Sequence, residues 1–353
     1  MTIVHVQQPA WQNQLKNALS SPEEISQALA CDPDEIATVN SHYPLRISPY
    51  YLELIRQGGE PLFRQAVPDI RELDDPLGMV DPLAEESLSP VPNLVHRYPD
   101  RALFLVSNQC AMYCRFCTRK RKVGKKSMRV NKETIAAGVE YLKNTPQIRE
   151  VLISGGDPLL LSDQALEQIL QQLQAIQHIK VLRIGTRTPC TLPMRITPEL
   201  VNMLRKYHPL YINTHFNHPA EITQEAERAC TLLADAGIPL GCQTVLLKGI
   251  NDSLPVLQEL LYRLLEIRVR PYYLMQGDLT EGTAHFRTDI KTGLALMRGL
   301  IGSISGMAVP TYILDAPYGK GKIPLTPDYI LSHQEDKLDF KNYQGIPCSY
   351  PFL

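Results

Sequence analysis

Val151-Leu-Ile-Ser-Gly-Gly-Asp157, then Ser162-Asp-Gln-Ala-Leu-Glu-Gln-Ile-Leu-Gln-Gln-Leu-Gln-Ala-Ile176, then Val181-Leu-Arg-Ile184 read together as strand, helix and strand. The outer runs are short, apolar and β-prone. Between them Leu166, Ile169, Leu170, Leu173 and Ile176 recur at the spacing of one helix face, with Ser162 placed as N-cap. Further apolar runs lie outward at residues 102–106, 210–214, 241–247, 271–275 and 309–314. Thr197-Pro198-Glu199 opens another helix, a cap residue followed by proline at the first helical position. Strand starts from the second to the sixth fall roughly 30 residues apart, one βα unit each. The alternation predicts an α/β fold with a parallel sheet, closed or partly closed into a TIM-like (β/α) barrel. A doubly wound open sheet is the alternative.

The rest of the chain is read against this core. Residues 1–95 form an N-terminal region with helix-like segments at 22–30 and 50–57. A Pro- and acid-rich stretch from 68 to 92 follows, expected to wrap as an extended connection and carrying no chemical motif. Residues 96–315 are the barrel core, and 316–353 a tail without strong periodicity. With 353 residues, 44% of them hydrophobic, the chain can bury a large core without disulfides. Thirty-six Lys and Arg against thirty-seven Asp and Glu leave a net charge of −1, which exerts no general pull toward nucleic acid or membrane. No apolar run reaches the length of a membrane span. The opening Met1-Thr-Ile-Val-His-Val-Gln-Gln-Pro9 has neither the charged nor the apolar region of a signal peptide, so a cytoplasmic protein is expected.

Of eight cysteines, Cys31, Cys190, Cys230, Cys242 and Cys348 are isolated, and the other three form Cys110-Ala-Met-Tyr-Cys114-Arg-Phe-Cys117. Three thiols so close together can share one metal centre, and thiolates select zinc, copper(I) or iron–sulfur clusters. A structural zinc site would want a fourth Cys or His at finger-like spacing, and none follows. Three ligands leave one iron of a four-iron cluster open. Cys110, Gly155-Gly156-Asp157, Arg187, His215, Gln276-Gly277-Asp278 and Asp315 each lie at or just beyond the C-terminal end of an expected strand, the rim where β/α barrels carry their active sites.

The Cys-x3-Cys-x2-Cys spacing resembles the radical S-adenosylmethionine superfamily. His96-Arg-Tyr-Pro-Asp-Arg101, Cys117-Thr-Arg119, Ile153-Ser-Gly-Gly-Asp-Pro158, Arg183-Ile-Gly-Thr-Arg-Thr-Pro189 and Asn213-Thr-His-Phe-Asn-His-Pro219 narrow the resemblance to the lysine 2,3-aminomutases, over residues 90–325. The resemblance implies a partial barrel of the radical S-adenosylmethionine type. It also implies a [4Fe-4S] cluster on Cys110, Cys114 and Cys117, and S-adenosyl-L-methionine against Gly155, Gly156, Asp157, His215 and Gln243. Asp315-Ala-Pro-Tyr-Gly-Lys320-Gly-Lys322 resembles the segment whose lysine carries pyridoxal 5′-phosphate. Counting from Asp315 the match is Lys322, with Lys320 its rival, and Arg101 matches a contact to the cofactor phosphate.

For the substrate, Arg119 matches the arginine that pairs with the α-carboxylate, and Asp278 and Asp315 match the acids that hold the far ammonium of lysine. A relative specific for glutamate would need a cation or a neutral group there. The reaction implied is 2,3-amino migration on L-lysine, begun by a 5′-deoxyadenosyl radical, with a reducing partner such as flavodoxin or ferredoxin. Arginine competes as substrate, as does a lysine held in elongation factor P. A homo-oligomer is expected. The best-known type binds a structural zinc through C-terminal cysteines and one near Ser253. Here the tail holds Cys348 alone, so no such zinc is expected and the oligomer it supports is open. Met275 also replaces an aromatic residue of that type. The basic run Arg119-Lys-Arg-Lys122, with Lys125, Lys126 and Arg129, is the feature that favours an RNA-modifying enzyme instead; with a net charge near zero it reads as a solvated or cofactor-facing loop. A plain iron–sulfur electron carrier would leave the acid pair and Lys322 without a use.

Overall fold

Each of the seven apolar runs becomes a strand in the computed structural model, which describes residues 10–125 and 127–352. A strand not foreseen, β1 (Leu94–Tyr98), pairs antiparallel with β2 (Arg101–Ser107). Then β3 (Glu150–Gly155), β4 (Val181–Gly185), β5 (Leu210–Thr214), β6 (Leu240–Leu246), β7 (Arg270–Gln276) and β8 (Thr311–Ala316) follow in parallel. A second unforeseen strand, β9 (Gly321–Pro324), folds back antiparallel on β8. Order across the sheet is order along the chain, whereas a doubly wound sheet reverses at a switch point. That excludes the open-sheet alternative. Among the described residues no pairing joins β9 to β1, so the barrel is partial.

Crossover helices cover the outer wall. The helix Asp163–Gln174 starts where Ser162 accepts from the Ala165 amide at 3.2 Å, and buries Leu166, Leu170 and Leu173 completely against a core that includes Val151 and Ile153. Each such side chain contributes about 1.5–3 kcal/mol by leaving water. Thr197 caps the helix Pro198–Leu204 as its sequence predicts. The alternate residues of the strands, such as Leu152 and Ser154 on β3 and Gln243 and Val245 on β6, are only half-buried and face the inner wall.

In the N-terminal region, the helices Pro22–Leu29, Pro33–Asn40 and Pro49–Gly58 are capped by Ser21, Asp32 and Ser48, with Pro49 and its counterparts in the first turn. Their Ile25, Ile36 and Tyr51 join the main core. Residues 68–92 then run as a short helical turn, Ile70–Leu73, and a strap across the C-terminal ends of the strands. The strap is tied there by Met79, whose amide donates to the Leu279 carbonyl at 2.7 Å, and by the Pro82 carbonyl, which accepts from the Tyr318 amide at 2.7 Å.

The tail differs from its sequence reading. It forms a separate antiparallel sheet of β10 (Ile330–His333), β11 (Lys337–Lys341) and β12 (Pro347–Pro351). Ile330, Leu331 and Tyr350 are 55%, 53% and 65% exposed; with no face buried, the sequence carries no two-residue apolar period to announce the strands. Among the described residues no helix is long and apolar enough to cross a membrane.

Candidate active site

The loop leaving β2 carries the three clustered cysteines, and its course is set from outside. Arg115, between two of them, is buried: Nε and Nη2 donate to Glu72 at 2.8 and 2.6 Å, and Nη1 to the Pro44 carbonyl at 3.0 Å. Lys120 Nζ donates to the same carboxylate at 2.6 Å; burial lowers its pKa to about 8 although Glu72 opposes the shift. Glu72 is itself 1% exposed, and removing one partner of a pair this deeply buried costs about 3–5 kcal/mol. The thiols are left crowded together. Burial raises the Cys110 pKa well above its ordinary value, and Asp157, Cys117 and Cys114 raise it further; burial and Cys114 do the same to Cys117. Such thiols become thiolates when a metal centre shares the pocket.

Among the described residues no three His, Cys, Asp or Glu side chains converge on a single ion, which a cluster taking one thiolate per iron does not require. Arg187 supports that fit. Its Nη1 donates to Cys114 Sγ at 2.9 Å, and Nη2 to Gln65 Oε1 and Glu221 Oε1, both at 2.6 Å, while its buried Nε has no partner. An unmet guanidinium N–H on a side chain that meets the Cys114 thiol suits a pocket that takes negative charge.

At the end of β3 the glycines serve the chain itself. A Cβ on Gly155 would sit 2.1 Å from the Ser107 carbonyl oxygen, and one on Gly156 2.5 Å from that of Gln109; the φ of Gly155 is +136°. Sequence reading expected close approach of backbone to a ligand. The structure uses the same freedom to press β3 against the segment entering Cys110. The Asp157 carboxylate is likewise spoken for, accepting from Thr186 Oγ1 at 2.7 and 2.8 Å, the Arg187 amide at 2.9 Å and the Leu159 amide at 3.0 Å. It braces the turn that carries Arg187. His215, after β5, has its Nε2 3.0 Å from Asn217 Oδ1; burial, then Arg187, lowers its pKa to about 3, so the ring is neutral. Gln243 lies on the neighbouring β6, in register with Tyr273 of β7.

A second group gathers around the β8–β9 hairpin, where Asp315 pairs with Lys322 in register. Lys322 Nζ forms an ion pair with Asp315, and Arg97 Nη1 donates to the other carboxylate oxygen at 2.8 Å. Lys320 is exposed to solvent. Asp278 stands close by: burial, then Asp315, raises its pKa to about 7, with Lys322 and Arg97 pulling the other way. Arg101 pairs with Asp100 at 2.8 Å and lies 3.9 Å above the Tyr98 ring, whose hydroxyl accepts from the Lys322 amide at 3.1 Å. Arg119 reaches Glu85, with Nε at 2.9 Å and Nη2 at 2.8 Å from Oε1.

The basic run is neutralised internally. Glu72 takes Lys120, Glu85 takes Arg119, Asp81 takes Arg121 at 2.8 Å, and Glu86 takes Lys122 at 2.9 Å. Lys126 lies outside the described residues.

Residues 104–261 match the family model described as the radical SAM superfamily, and 297–352 match the one described as lysine-2,3-aminomutase. The chain is 48% identical to the L-lysine 2,3-aminomutase of Clostridium subterminale, over 96% of this chain and 83% of that one. The chain belongs to the lysine 2,3-aminomutase family. Its relatives also include the L-lysine 2,3-aminomutase of Bacillus subtilis, 47% identical over 97% of this chain and 74% of that protein. The glutamate 2,3-aminomutase of Clostridioides difficile is 44% identical over 98% and 84%. As a member of the lysine 2,3-aminomutase family, this chain carries a radical S-adenosylmethionine domain, the kind that works with that cofactor and a four-iron cluster.

Several residues at the site escaped sequence reading. Glu72 comes from the helical turn Ile70–Leu73, Glu85 from the strap, and Arg97 from β1. The available signal was the excess of acids at 68–92 facing an excess of bases at 115–122, two segments of opposite sign with no apolar period of their own.

Proposed function

We propose that this chain interconverts L-α-lysine and β-lysine by moving the α-amino group to the β-carbon. The family leaves the side chain open, since its members include enzymes named for lysine and for glutamate. One observation carries the choice: Asp278 and Asp315 stand together beside Lys322. Asp315 is already paired with Lys322 and Arg97, whereas Asp278 beside it has no ion pair among the described residues and is left for a further cation. The ε-ammonium of lysine is such a cation, whereas the side chain of glutamate would bring a third negative charge. Arg119 would take the α-carboxylate on its planar fork.

Cys110, Cys114 and Cys117 would hold a [4Fe-4S] cluster, Lys322 would hold pyridoxal 5′-phosphate with Arg101 toward its phosphate, and S-adenosyl-L-methionine would meet the backbone of Gly155 and Gly156, braced by Asp157, with His215 and Gln243. Bound there, these groups supply the radical chemistry of amino migration. The chain's own contribution is placement: Arg119 and the acid pair hold the substrate at both ends, neutral His215 adds no charge, and the strap keeps water from the mouth. A reductant of the flavodoxin or ferredoxin class, a cytoplasmic setting, a homo-oligomer, and a division at residues 95 and 315 belong to the same reading.

Anaerobic incubation of the reconstituted enzyme with L-lysine, L-arginine, L-glutamate and a lysine-containing elongation factor P tests it. β-Lysine is the expected product. Faster turnover of any of the others would replace lysine as the substrate. Borohydride treatment is expected to leave the pyridoxyl group on Lys322, the lysine that faces Asp315. Peptide mapping that finds it on exposed Lys320 would shift the assignment by two residues.

A further inference from the structure

The strap crosses the site at Pro82-Leu83-Ala84-Glu85, and this segment reaches Arg119 directly and Asp315 through Arg97. The Leu83 carbonyl accepts from Arg97 Nη2 at 2.9 Å, and Arg97 Nη1 holds Asp315 at 2.8 Å. Glu85 holds Arg119. Between them Ala84 has φ +53°, a left-handed conformation that a residue with a side chain adopts at an energetic cost. That turn sends the Leu83 carbonyl to one arginine and the Glu85 side chain to the other.

The manner of the Glu85 contact matters. A guanidinium has two edges, each able to grip a carboxylate with two N–H groups. Glu85 occupies the Nε and Nη2 edge of Arg119, at 2.9 and 2.8 Å from Oε1 and 3.2 Å from Nε to Oε2. The edge bearing Nη1 is left for another acid. The Glu85 side chain is 2% exposed, and although burial alone would raise its pKa, Arg119, Lys122 and Arg121 lower it, so it stays ionised. Arg121 and Lys122 stand farther off, at 3.4 and 3.9 Å. Without Glu85 the flexible Arg119 side chain would have nothing to fix its plane and would face two like charges.

We infer that Glu85 is a positioning residue: it clamps one edge of Arg119 so that the other edge meets the substrate α-carboxylate, and through Leu83 the same strap sets the span to the acid pair. The inference rests on the role proposed above for Arg119.

The test compares wild type, Glu85→Gln and Arg119→Gln holoenzymes of equal iron and pyridoxal phosphate content. Two numbers are read, the KM for lysine and the inhibition constant of 1,5-diaminopentane, which is lysine without its carboxylate. Glu85→Gln is expected to raise the lysine KM roughly tenfold, more than it lowers kcat, and to leave diamine inhibition within about twofold. Equal losses for lysine and diamine would make Glu85 a general prop and overturn the inference. So would an unchanged lysine KM in Glu85→Gln alongside a raised one in Arg119→Gln. An unchanged KM in Arg119→Gln would instead remove the role of Arg119, and the inference with it. If Glu85→Gln does not load its cofactors, Glu85→Asp reads the same split, because it keeps the charge and withdraws the oxygens by one methylene.

Discussion

Cys114→Ala is expected to carry no intact four-iron cluster and to show no amino migration. Cys114 is one of three crowded thiols, and its sulfur is the one that Arg187 meets at 2.9 Å. Removing it takes away one of the three proposed thiolate ligands and leaves a guanidinium N–H facing a methyl group. The loop itself is expected to survive, because the contacts that hold it, Arg115 to Glu72 and to Pro44, do not involve the thiol. The protein should therefore fold, retain pyridoxal phosphate on Lys322, and fail in iron and sulfide content and in its electron paramagnetic resonance signal. Cys348→Ala is the control, since Cys348 lies on β12 in the tail sheet. A Cys114→Ala protein with wild-type iron and sulfide would sink the cluster assignment.

Asp278→Asn and Asp315→Asn are each expected to cut catalytic efficiency on lysine roughly tenfold to a hundredfold, the loss of one charge-assisted contact of about 1.5–3 kcal/mol. Norleucine, which lacks the ammonium, should be a poor substrate for the wild type; comparable rates for lysine and norleucine would show that these acids do not read the side chain. Asp278 adds a pH signature with two opposite signs. Its folded pKa, about 7, lies above the ordinary 3.8, so between those values the folded protein holds a proton that the unfolded chain has released. Stability of the substrate-free protein therefore falls as pH rises across that window. Gripping an ammonium needs the ionised acid, so the lysine KM should rise as pH falls through about 7. Asp278→Asn should flatten the stability slope and raise the melting temperature at pH 8 while weakening lysine binding there. A variant that lost both stability and turnover at pH 8 would contradict this account of the buried acid.

Much of this site was legible because its signals are local. An apolar run followed by a capped helix announces a strand and its crossover within thirty-odd residues, and Ser162 and Thr197 perform as caps where the sequence puts them. Cysteine spacing is a property of one loop. The antiparallel strands escaped notice for a physical reason: β1, β9 and the tail sheet are short and lack a fully buried face, so their residues carry no clean period.

Lys322 was named by resemblance to the family, and its place opposite Asp315 came only with the unforeseen β9. Read alone, the chain determined the parallel barrel and the rim on which Cys110, Asp157, His215, Asp278 and Asp315 would stand. These follow from spacing between near neighbours. Only the tertiary structure decided what surrounds them. Glu72 meets Arg115 across 43 positions, Glu85 meets Arg119 across 34, and Arg187 meets Cys114 across 73. Gly155 and Gly156 proved to accommodate the chain's own carbonyls, and the Asp157 carboxylate to be filled by Thr186 and Arg187. A charge has no periodicity, and a segment of acids beside a segment of bases specifies attraction without register. Which acid reaches which cation depends on where the strap's backbone crosses the barrel mouth, and that path is set by packing against strands distant in sequence.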